Sequence, residues 1–271
     1  MSVSDLGLVF SSVFCIVVFF HCVHYSDYQE VQRLQVQYNL AVDQAVEAAF
    51  YDVVEYDLGQ EVMINHEEAI HNFFQALYVN LGIMEESMKK ELCKSYIPYI
   101  LIVERDGITP FVHSSSRNNE LITFQDSQKV YYQFEGENRD FLRVTLTDYV
   151  VYIDSLGEVQ MEGYYNDIVD KLPDWCCWDA SLFEEKKKGL IISLIEQCTN
   201  ACITKQNQFA KQYGIKYNFM LPTIDYEEWY RTIQDISIIA VFQGYPYGNG
   251  ITGRYNRVAI GGARVHKKEN A

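Results

Sequence analysis

The sequence predicts an α+β fold: an N-terminal transmembrane helix continuing into a helical stalk, then an antiparallel sheet flanked by helices. Three observations carry this reading. The run "LGLVFSSVFCIVVFFHCV", Leu6 to Val23, contains no charged residue. Val31, Leu34, Tyr38, Ala41, Ala45 and Ala48 then recur three and four apart, the spacing of one helix face. From Pro98 to Asp154 short β-branched and aromatic runs alternate with turn signals, as in an antiparallel meander. The expected segments are a membrane anchor over 1–25, a helical stalk over 26–85 and an extracytoplasmic α+β domain over 86–271.

As a helix, Leu6 to Val23 is about 27 Å long, close to the hydrocarbon thickness of a bilayer. A cleaved signal needs basic residues before the apolar run and a small-x-small site after it. Here Asp5 precedes the run and His21-Cys22-Val23-His24-Tyr25 follows it, so an uncleaved span is expected. Neither Cys15, after Val13-Phe14, nor Cys22, after Phe20-His21, has the small neighbours of a lipid-attachment site. The flanking charges give little orientation signal, since the first base beyond the span is Arg33. The acidic, tyrosine-rich body points the C-terminal part outward, to the extracytoplasmic side of the cell membrane.

Apolar residues are 48% of the chain and aromatics 14%, enough for a sizeable core. A formal charge of −15 argues against a nucleic-acid partner and against docking on anionic lipid, both of which need a basic face.

The helix predicted from Ser26 to about Tyr56 carries the Val31-Leu34-Tyr38-Ala41-Ala45-Ala48 seam. Its three alanines let a neighbour approach closely, whether another helix or the chain's own sheet. Asp57-Leu58-Gly59 stops that helix, and Asn65 with Glu68 three residues on caps a second one running to about Val79. Strands follow over Pro98 to Arg105, Ile108 to His113, Glu120 to Phe124, Lys129 to Phe134 and Phe141 to Asp154, with a return through Gly157. A long helix from about Ser181 to Tyr213 ends at Gly214. Tyr217 to Leu221 reads as a strand and Asp225 to Asp235 as a short helix, whose Asp225, Glu227 and Glu228 are first-turn dipole partners rather than calcium ligands. Ser237 to Phe242 and Arg254 to Ile260 close the chain as two strands.

Four motifs invite a chemical reading. Gly248-Asn249-Gly250-Ile251-Thr252-Gly253 spells a dinucleotide fingerprint, but a β-rich segment follows it where a helix is required, so a hairpin loop and no nucleotide are expected. His66 and His71 in "HEEAIH" are one residue too far apart for the zinc-protease pair, about 140° apart around a helix. His113-Ser114 lacks the glycines of a nucleophile elbow. Cys198 and Cys202 share a helix face, with Cys176-Cys177 upstream. Disulfides from Cys176 or Cys177 to Cys198 or Cys202 are expected, with buried free thiols and a metal site as alternatives, and with Cys93 reduced. No catalytic residue, metal or cofactor is expected.

An uncleaved apolar helix continuing into "YNLAVDQAVEAAF" and then an acidic α+β body resembles the membrane-anchored minor pilins and pseudopilins. The nearest likeness is to the TadE-like proteins of tight-adherence (Flp-type) pilus systems in Gram-positive bacteria. The likeness covers roughly the first 60 residues and is architectural. Pilins of this class carry a Glu five positions after a Gly processing site, and counting from Gly7 that position is Ser12. The resemblance implies a non-enzymatic component of a surface pilus or secretion apparatus, assembling with other membrane or pilus proteins through its N-terminal helix. The alternative is a single-pass, membrane-tethered domain that binds a ligand or protein outside the cell.

Overall fold

The computed structural model describes residues 3–50, 54–56, 62–115, 122–211, 236–247 and 253–262. α1 (Val3–Ala48) is a single unbroken helix, about 69 Å long at the ordinary rise per residue. It stops earlier than expected. Val54–Tyr56 forms β1 and pairs antiparallel with β2 (Val62–Ile64), because Val54 and Tyr56 favour extended backbone over another helical turn.

α2 (His66–Leu81) has the predicted start and runs two residues past the expected end near Val79. The Asn65 side chain accepts from the Glu68 N–H, and the Asn65 amide donates back to the Glu68 carboxylate at 3.2 Å. Gly82 ends the helix in the left-handed region at φ 69°. α3 (Ser87–Ser95) is a short helix the sequence pattern did not announce, held inward mainly by buried Cys93.

The central sheet has strand order β12-β11-β3-β4-β5, with β6 also paired to β4, and every pairing is antiparallel. Its strands are β3 (Tyr99–Val103), β4 (Gly107–Ser115), β5 (Ile122–Asp126), β6 (Val130–Tyr131), β11 (Ser237–Pro246) and β12 (Arg254–Gly262). A second antiparallel sheet, ordered β10-β9-β8-β7, contains β7 (Gln133–Glu135), β8 (Phe141–Val144), β9 (Tyr149–Ile153) and β10 (Val159–Tyr164). Two segments read as single strands are therefore divided. Lys129 to Phe134 changes sheets at Tyr132, whose N–H donates to Asp106 O and whose carbonyl accepts from Val144 N–H. Phe141 to Asp154 folds back on itself, and the Thr145 hydroxyl donates across the turn to Tyr149 O at 2.9 Å. α4 (Tyr165–Ile168), two 3-10 turns and the long α5 (Ala180–Ala210) complete the order before β11. The expected strand at 217–221, the helix at 225–235 with Asp225, Glu227 and Glu228, and the cap at Gly214 lie outside the described residues.

The central sheet is buried on both faces, which explains why β3 and β11 read as continuous apolar runs. Ile100, Ile102, Ile238, Ala240 and Phe242 join α1, α2 and α3 in one core. Tyr99, Leu101, Val103, Ile239 and Val241 join α5 and the second sheet in the other. Val42, Ala45 and Val46 of α1, Ala49 just past its end, and Phe73 and Leu77 of α2 share a core with the sheet.

Candidate functional site: two faces of the N-terminal helix

The predicted seam is where α1 meets its own body. Val31, Leu34 and Tyr38 are half-buried against the first core, while Ala41 and Ala45 are fully buried in the body. Ala48 is only half-buried, and Val42, Val46 and Ala49, which the three-and-four spacing left out, are buried. The physical reason is the mismatch between a 3.5-residue seam and a straight 3.6-residue helix. The apolar stripe drifts by about 20° per heptad, so by residue 48 the buried line has moved on to Ala49. The signal was present in the sequence as the i, i+3, i+4, i+7 set Val42, Ala45, Val46 and Ala49.

The neighbours on this face are α2 and β12. The small side chains allow very close approach: a Cβ built on Gly261 of β12 would sit 2.7 Å from the Val46 carbonyl carbon. Higher on the helix the contact is aromatic. Tyr38 stacks on Tyr247 with ring centroids 5.7 Å apart and meets Tyr245 and Tyr255 edge-on. The Tyr38 hydroxyl donates to Pro246 O at 3.3 Å, and the Tyr255 hydroxyl donates to Asn39 Oδ1 at 3.0 Å. Arg257 Nη2 pairs with Asp43 Oδ1 at 2.6 Å. All these partners come from the C-terminal hairpin, so the last strands of the chain clasp the first helix.

Among the described residues, nothing comparable covers the opposite face of α1. Within the apolar run Phe10, Phe14, Ile16, Phe19 and Phe20 stand exposed, which fits a helix long and apolar enough to cross a membrane. Beyond it, Val36 and Leu40, one helical turn apart, are 67% and 56% exposed. By helical rise they lie about 20–26 Å past Val23, the end of the apolar run.

The hairpin around the glycine motif has the strand-turn-strand context expected. β11 and β12 pair antiparallel with Pro246 opposite Arg254, so the described segment after the motif is a strand where a dinucleotide fold has a helix. Residues 248–252 themselves lie outside the described residues.

The expected disulfides are not formed. Cys176, Cys177, Cys198 and Cys202 are all free thiols, as is Cys93. Cys176, Cys198 and Cys202 instead pack as small apolar groups in the second core, and Cys177 faces solvent. Burial pushes the Cys93, Cys176 and Cys202 thiols up to about 12 and raises Cys198 as well, so these four are poor nucleophiles and poor metal ligands at neutral pH. Among the described residues no group of three His, Cys, Asp or Glu side chains is placed to hold a metal ion.

His71 is exposed on α2, and His66 lies five residues away with Nε2 3.3 Å from Glu104 Oε1. Glu104 also accepts from Thr109 Oγ1 and from Lys129 Nζ at 3.1 Å, and Lys129 reaches Asp106 at 2.5 Å. Burial works to raise the Glu104 carboxyl, but the His66 imidazole beside it, the hydrogen bond from Thr109 and the Lys129 ammonium outweigh it and hold the group down at about 2. This cluster ties the start of α2 to the β3–β4 hairpin. His113 and Ser114 lie in β4, paired with Phe124 and Thr123 of β5.

No protein-family model matches this sequence, and no curated protein and no solved structure is similar to it.

Proposed function

We propose that this protein is a non-enzymatic, single-pass membrane-anchored component of a surface pilus or secretion apparatus, similar to the minor pilins and pseudopilins, acting through lateral packing of its N-terminal helix. The observation that carries the reading is the division of α1 by face. One face packs on the chain's own body from Val31 onward, while on the other Val36 and Leu40 stand exposed above the exposed apolar run. A helix that carries exposed Val36 and Leu40 above a span is suited to meet another helix emerging from the same bilayer. In the membrane itself, close packing rather than hydrophobic drive decides such contacts. The assembly surface is therefore the outer face, not the seam predicted from spacing. The body lies on the extracytoplasmic side.

Single cysteines at Val36, Leu40 and Ala45, in the full chain with its native cysteines replaced by serine, test this in membranes of the producing cell. Bis-maleimide cross-linking is expected from positions 36 and 40 and not from 45. No cross-link from either outer position, with the body folded, overturns the assembly reading. Protease added to intact protoplasts should digest the body, and a fully protected body overturns the orientation.

A second reading, a tethered binding domain, is favoured by the open face of the second sheet. Arg143, Val151 and Glu162 form one cross-strand row there. Tyr164 is exposed beside them, and the Arg143 guanidinium lies 4.3 Å from the centroid of exposed Tyr131. Absent cross-linking, this face becomes the surface on which to seek a partner.

A further inference from the structure

We draw no further inference here: the strongest candidate, the side-chain cluster in which the buried Lys187 ammonium joins Asp148 at 2.8 Å and Glu184 at 2.7 Å between the β8–β9 turn and α5, carries nothing because both carboxylates stand substantially open to solvent and the contacts tie the turn to the helix as an ordinary ion-pair cluster.

Discussion

Residues 10–30 and residues 38–48 belong to one uninterrupted helix, α1, yet their surroundings are opposite. The first stretch is exposed all round and made of large side chains, Phe10, Phe14, Phe19 and Phe20 among them. The second buries a stripe of small ones, Ala41 and Ala45, against a strand and a helix of the same chain. The difference lies in what each is built to touch. Large apolar groups gain from any hydrocarbon surroundings, at about 1.5–3 kcal/mol per fully buried side chain. Small ones gain only where a rigid partner comes close enough for backbone contact, as Gly261 does at Val46. The first half of α1 therefore asks for a solvent, and the second asks for one particular surface.

The largest effect that would break this contrast comes from charging the packed half. Ala45 is fully buried, so Ala45→Glu leaves an unpaired carboxylate inside the first core, and a loss of about 3–5 kcal/mol is expected by urea unfolding of the full chain in detergent. A loss under 1 kcal/mol would mean that α1 does not pack as described.

Acid sharpens the contrast next, because the body depends on ionised groups and the bare helix does not. Glu104 is held down at about 2 in the folded protein, below its unfolded value near 4.3. Its contribution is therefore complete above about pH 5 and is lost as pH falls from there toward 2, on the order of 3 kcal/mol in all. Unfolding midpoints at pH 7, 4 and 3 should fall more steeply in the wild type than in Glu104→Gln. Far-ultraviolet helicity of the apolar run should persist throughout. Equal slopes for the two proteins would remove Glu104 from the account.

Gly261→Val is a gentler test of the same interface. The added side chain meets Val46 backbone and must push α1 away from β12, with a cost of about 1–3 kcal/mol in unfolding free energy. Partial recovery in a Gly261→Val, Val46→Ala double variant would show that the two positions are coupled.

The smallest expected effect belongs to the outer face. Val36→Glu should change the unfolding free energy by no more than about 0.5 kcal/mol, since the side chain is exposed. The same variant should lose cross-linking at Leu40. A destabilisation as large as that of Ala45→Glu would show both faces of α1 to be covered by the body.

Part of this was legible from local pattern alone. The charge-free run, the Asn65 and Glu68 capping box of α2 and the two strands that flank the glycine motif each rest on interactions within a few residues. Residue order is enough to specify those. The α+β class was legible for the same reason, because period 2 and period 3.6 separate strand from helix without knowledge of neighbours.

What only the tertiary structure decided is which surfaces meet. Spacing could identify an apolar stripe on α1 but not its occupant, because a small-residue face fits a foreign helix and the chain's own β12 equally well. β12 lies more than 200 residues away in sequence. The cysteines met the same limit. Spacing placed Cys198 and Cys202 on one helix face, but whether their sulfurs face a bonding partner or a core depends on α5 settling over the second core, where they pack as apolar groups. The split of Lys129 to Phe134 between two sheets is likewise invisible locally, since Tyr132 hands its N–H to one sheet and its carbonyl to the other only once both exist. Local backbone preference is written into neighbouring residues, whereas the choice of packing partner is made by long-range complementarity that no short window of sequence contains.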